Sequence, residues 1–110
     1  MAYIVIMKFV ETSIFTKQIQ SLFSDESYRE LQTSLMIRPD AGAVIKGTGG
    51  LRKVRWKLPG AGKRGATRVI YYYDAPETIY MVFVYKKTDQ ADLAPEQVKV
   101  LKRLVEENLS

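Results

Sequence analysis

A chain of 110 residues, 46% hydrophobic and 26% charged, is long enough for one globular domain with its own core, and disorder is not expected. Cysteine and histidine are both absent, which excludes disulfides and thiol nucleophiles and makes a transition-metal site unexpected. With a net charge of +5 and no imidazole, acid–base chemistry at neutral pH falls to Lys, Arg, Tyr or carboxylates, and no cofactor is called for.

Tyr3 to Phe9 is rich in β-branched and aromatic residues and too short for a substantial helix, so it reads as a strand. Its apolar part, Tyr3 to Met7, has no basic segment before it and is broken by Lys8, so neither a signal peptide nor a membrane span is expected. The cytoplasm follows by elimination. Glu11-Thr12-Ser13 offers N-cap chemistry, and Ile14, Phe15, Ile19, Leu22 and Phe23 then recur at helical spacing. Ser24-Asp25-Glu26 recaps the chain for a second helix, with Tyr28, Leu31, Leu35 and Met36 on its apolar side, ending at Arg38 before Pro39.

From Ala43 the period changes. Ala43 to Ile45 reads as a short strand and Gly47-Thr48-Gly49-Gly50 as a turn. Leu51 to Leu58 alternates, with Lys53, Arg55 and Lys57 on one side and Val54, Trp56 and Leu58 on the other. Pro59 to Gly65 reads as a hairpin loop. Arg68 to Tyr73 and Ile79 to Lys86 follow as strands around an Asp74-Ala75-Pro76 turn. Leu93-Ala94-Pro95-Glu96 opens a last helix whose stripe is Val98, Leu101, Leu104 and Val105. The expected order, βααβ(β)ββα over residues 1–110, is a single α+β domain. Its sheet is mostly antiparallel, with two N-terminal helices on one face and a C-terminal helix.

Between Ala41 and Tyr73 lie eight basic residues and no acidic one: Lys46, Arg52, Lys53, Arg55, Lys57, Lys63, Arg64 and Arg68. The remaining nine basic residues face twelve acidic ones, so the whole excess sits in this stretch. A polyanion-binding surface explains such asymmetry better than a merely solvated face, which mixes signs. Cations at i, i+2 and i+4 of a strand are spaced by about 7 Å, close to the repeat of a single-stranded phosphate backbone. Crowded like charge disfavours protonation of the weakest member, so a lysine of the row can serve as a general base while arginines stay charged. That kit suffices for attack of an RNA 2′-hydroxyl on its own phosphate. Tyr71, Tyr72, Tyr73, Tyr80 and Tyr85 offer base-stacking surfaces, but alternating strands put at least three of them into packing. Gly60-Ala61-Gly62-Lys63-Arg64-Gly65 lacks P-loop spacing and joins two strands, which excludes a nucleoside-triphosphatase reading.

The run Gly50-Leu51-Arg52-Lys53-Val54-Arg55-Trp56, followed by Gly62-Lys63-Arg64-Gly65-Ala66-Thr67-Arg68-Val69-Ile70-Tyr71-Tyr72, resembles the heart of RelE/HigB-type toxins of bacterial type II toxin–antitoxin systems. Lys86-Lys87-Thr88-Asp89 and the Leu93-Ala94-Pro95-Glu96 helix start are similar to the HigB branch. The resemblance implies a RelE-like fold and a ribosome-dependent mRNA endonuclease that uses Lys and Arg without metal. It implies a cognate helix-turn-helix antitoxin as partner, with DNA reached only through that antitoxin and no membrane. Carried over by position, it implies that Lys53 and Arg55 are the paired strand cations, continued by Lys57. Arg68 and Arg64 would then stabilise phosphate charge, and Lys87 would assist the leaving oxygen. Lys53 or Lys57 is the candidate general base, while Lys46, Arg52, Lys63 and Lys86 are expected to bind RNA. The family's C-terminal tyrosine falls at about Leu93, so a lysine is expected to take over its proton chemistry. Two other readings share the basic surface: a non-catalytic RNA- or ribosome-binding module, and a protein whose basic face receives an acidic partner segment.

Overall fold

The alternation that begins at Leu51 is the centre of a five-stranded sheet in the computed structural model, which describes residues 6–60 and 66–109. In chain order the elements are β1 (Lys8–Glu11), α1 (Ser13–Leu22), α2 (Asp25–Ile37), β2 (Ala43–Val44), β3 (Leu51–Lys57), β4 (Ala66–Asp74), β5 (Thr78–Lys86) and α3 (Pro95–Leu109). The strands lie in the order β1-β5-β4-β3-β2. Strands β2 to β5 pair antiparallel, and β1 adds to β5 in parallel after the chain crosses the sheet through α1 and α2. The architecture is the mixed α+β class that the period changes imply.

Two apolar layers flank the sheet. Phe15 and Ile19 of α1, with Leu31 and Leu35 of α2, pack on Val69, Tyr71, Ile79, Met81 and Val84. On the opposite face Leu101 and Val105 of α3 cover Leu51, Ile70, Val82 and Tyr85. Thr12 caps α1 by accepting the Phe15 N–H at 3.0 Å, and Ser24 caps α2 through the Ser27 N–H at 3.1 Å. Ile14 and Met36, expected on the apolar sides of their helices, are instead exposed.

Among the described residues the first strand is Lys8–Glu11, which overlaps the expected Tyr3 to Phe9 at Lys8 and Phe9 and runs two residues further. Residues 3 to 5 of the expected strand lie outside the described residues, and Ile6 is exposed. Pairing decides the matter, since the register runs from Lys8 opposite Thr78 to Glu11 opposite Met81. Glu11 is tolerated in the strand because its carboxylate accepts the Thr16 hydroxyl at 2.6 Å and the Tyr28 hydroxyl at 2.5 Å. Burial first, then that bond to Glu11, pushes the Tyr28 phenol well above its ordinary range.

Two local devices fix the register around the centre of the sheet. Near the hairpin turn, Tyr71 faces Met81, but one step further Ile70 faces Phe83, so Val82 bulges from β5. Thr12 meets the bulge: its N–H donates to the Met81 carbonyl at 3.0 Å and its hydroxyl to the Val82 carbonyl at 2.8 Å. The second device holds the link from α2 to β2. The buried Tyr71 hydroxyl accepts the Gly42 N–H and donates to the Pro39 carbonyl, both at 2.8 Å. A Cβ on Gly42 would lie 2.8 Å from the Tyr71 ring and 3.0 Å from the Lys53 carbonyl, so this approach requires glycine.

Candidate active site

Antiparallel register carries side chains of β3, β4 and β5 onto common faces. Lys53 lies opposite Ile70, Arg55 opposite Arg68, and Lys57 opposite Ala66; Arg68 in turn lies opposite Tyr85. Leu51, Ile70, Val82 and Tyr85 on this face are under α3. Arg55 and Lys57 are exposed beyond that cover. One end of the α3 face is therefore an apolar layer, and the other a cationic patch on a rigid sheet.

Arg68 is the centre of the patch and only 7% exposed. Its Nη1 has no hydrogen-bond partner among the described residues, and neither has the hydroxyl of Tyr85, itself 5% exposed. Unpaired buried polar atoms are rare, and each costs about 1–3 kcal/mol. Here the only two side-chain orphans found among the described residues are register partners. Burial first, and the Asp92 carboxylate second, raise the Tyr85 phenol against the opposing pull of Arg68, which keeps it protonated at neutral pH. Asp92 acts on the phenol through its charge and, more weakly, as a distant acceptor, without the geometry that would satisfy the hydroxyl.

Asp92 itself is an exposed carboxylate placed among the cations. It pairs with the Lys53 ammonium at 3.4 Å and accepts the Leu93 N–H at 2.9 Å. The Leu93 N–H is the main reason its carboxyl lies below the usual aspartate range, with Lys53 assisting. The sequence reading named Tyr85 only as a stacking surface, and missed both Asp92 and the pairing of Tyr85 with Arg68. Asp92 falls in the connection after β5, outside the acid-free window, and only the fold returns it to Lys53.

The other expected site residues divide by position. Lys87 is exposed just past β5, where its backbone N–H donates to the Ala66 carbonyl at 3.2 Å, close to the end of β4 that leads to Arg68. Lys86 lies opposite Thr67 and lines a groove with Gln18, Ser21 and Leu22 of α1. Arg52 shares the opposite face with Val54 and Trp56; its guanidinium donates to the carbonyls of Gly42 at 2.7 Å and Asp40 at 3.3 Å. Lys46 is exposed in the turn before β3, about 20 Å along the strand direction from Lys57. Lys63 and Arg64 lie outside the described residues. The structure thus gathers Lys53, Arg55, Lys57 and Arg68 on one face, with Lys87 at the adjoining strand end, and separates Arg52, Lys86 and Lys46 from them.

The chain is similar in fold to a solved structure of the E. coli toxin RelE, an arginine-to-alanine double mutant in the free state. The match has a TM-score of 0.55 at 14% identity and covers 79% of this chain and 90% of that one. A family model described as the RelE toxin of the RelE/RelB toxin–antitoxin system matches residues 7–110, nearly the whole chain and all of the patch. The chain belongs to the RelE toxin family, and is a toxin of a toxin–antitoxin system whose partner is an antitoxin.

Proposed function

We propose that this toxin is a ribosome-dependent mRNA endonuclease that cleaves by metal-independent attack of a 2′-hydroxyl on the adjacent phosphate. The observation that carries the reading is the register of Arg68 with Arg55, flanked by Lys53 and Lys57, on one open sheet face. Lys53 is engaged by Asp92, whereas Lys57 makes no ion pair among the described residues. Lys57 is therefore the acceptor for the 2′-proton, entering the step as the neutral amine and leaving it as the ammonium. As the 2′-oxygen bonds to phosphorus, Arg68 and Arg55 meet the charge gathering on the non-bridging oxygens. The bond to the 5′-oxygen breaks, and Lys87 returns a proton to that leaving oxygen. The products are a 2′,3′-cyclic phosphate, open to later hydrolysis, and a 5′-hydroxyl end. Arg64, two positions before β4 in the sequence, adds to the phosphate charge stabilisation.

Dependence on the ribosome follows from what the site lacks. Three cations on a flat strand hold a backbone but do not bend it, and in-line attack needs the 2′-oxygen, phosphorus and leaving oxygen aligned. Alignment of that kind is worth on the order of 7 kcal/mol or more, which the ribosome supplies by holding the message. Primer extension on one message, free and engaged by translating ribosomes at identical salt, tests this. Cuts are expected only with ribosomes present. Equal cleavage in both reactions refutes the dependence, and tight ribosome binding with no cleavage establishes a non-catalytic binding module instead.

A further inference from the structure

We propose that Tyr85 is a catalytic hydrogen-bond donor, its phenol pairing with the Arg68 guanidinium to grip one non-bridging oxygen of the scissile phosphate. The inference deepens the nuclease reading and rests on it. Tyr85 and Arg68 are directly opposed on β5 and β4, so their Cβ atoms are about 4.5–5.5 Å apart. Both side chains are more than nine-tenths buried, and each keeps a polar atom without a partner among the described residues. They do not satisfy each other, although a tyrosine oxygen can accept from a guanidinium. What the two orphans share is a proton with no well-placed acceptor, and the group that completes both is an acceptor with no proton of its own. A phosphate oxygen is such an acceptor, and its charge grows during 2′-hydroxyl attack.

Burial keeps the phenol protonated, so Tyr85 donates and does not serve as the base. An incoming phosphate competes with Asp92, the carboxylate that already acts on this phenol. Asp92 holds the patch through a long 3.4 Å contact with Lys53 and a weak pull on the phenol, and its side chain is 71% exposed, so the competition favours a doubly gripped phosphate. Tyr85 also packs against Phe83, with ring centroids 6.2 Å apart, and contributes to the layer under α3. Loss of its ring and loss of its hydroxyl must therefore be separated.

Tyr85→Phe makes that separation. The full-length variant is compared with the parent on ribosome-engaged message, together with thermal unfolding of each protein. The cutting rate is expected to fall about tenfold to a hundredfold, the usual worth of a hydrogen bond to a charged group. The unfolding midpoint is expected to stay level or rise, because a buried hydroxyl without a partner is lost. A messenger carrying one phosphorothioate diastereomer at the cut site gives the second readout. The parent is expected to discriminate between the two diastereomers, and Tyr85→Phe to shrink that ratio. Cleavage at the parental rate, or a slower rate with an unchanged diastereomer ratio, overturns the role of Tyr85 and leaves the nuclease reading standing. A parent that cuts nothing on the ribosome overturns that reading, and this role with it.

Discussion

Arg68 shows why burial and charge must be judged together at a single residue. A guanidinium at 7% exposure with an unfilled Nη1 is expensive for the fold, and under the proposed function an anionic partner from outside offsets that cost. Arg68→Ala is expected to relieve the growth arrest caused by the parent chain and to slow cutting roughly a hundredfold, equivalent to ~3 kcal/mol of transition-state stabilisation. Toxicity at the parental level from a variant shown to be folded by circular dichroism would remove Arg68 from the site. Arg52 makes the contrast. It is one position away from Lys53, yet its guanidinium is spent on the carbonyls of Asp40 and Gly42. Adjacent cations of one strand thus serve opposite faces: Lys53 lies on the α3 face, and Arg52 fastens the connection into β2.

At the scale of elements, the β5 bulge builds the site. The pairs nearest the turn, Tyr71 with Met81 and Tyr73 with Ile79, would bring Val84 opposite Arg68 if continued. The extra residue at Val82 shifts the register by one and brings Tyr85 there instead. Thr12 secures that shift from outside the sheet, through its hydroxyl on Val82 and its N–H on Met81, while also capping α1. Gln18 of the same helix accepts the Val84 N–H at 2.9 Å, closing the β5 edge beyond β1. Thr12→Ala is expected to cost about 1–2 kcal/mol of stability in urea unfolding, the upper part of the range for a lost cap. A loss near zero would mean that neither the cap nor the bulge contact holds the register. The same bulge explains what was legible beforehand. Helices, strands and the cationic side of β3 follow from local period and composition, and those are properties of single segments. Tyr85 beside Arg68 depends on a pairing register with an inserted residue, and Asp92 beside Lys53 on a contact 39 positions apart; neither leaves a mark in local alternation. The first strand runs past Phe9 to Glu11 for the same reason, because β1 is defined by its partner β5 and not by its most apolar residues.

For the molecule as a whole, the described cations of the acid-free window do not form one continuous basic surface. Lys53, Arg55, Lys57 and Arg68 converge on the α3 face, Arg52 turns to the other, and Lys46 stays at the far turn. The six described cations of the window therefore differ in what they can contribute to a bound strand. A field spread over the whole window would make every lysine equivalent in the salt dependence of binding. A site confined to the sheet face would not. Each phosphate contact with a single strand adds about 0.7 to the slope of log affinity against log salt. A labelled 2′-deoxy trinucleotide is short enough to sample one row of cations and cannot be cleaved by 2′-attack. Its anisotropy titration, repeated from low to moderate salt, reports how many contacts that row makes. Lys57→Ala is expected to lower the slope by about 0.7, and Lys46→Ala, about 20 Å away, to leave it unchanged. An equal fall in both variants would show that the toxin holds RNA by diffuse charge, and the grouping of Lys57 with Arg55 and Arg68 would lose its functional meaning.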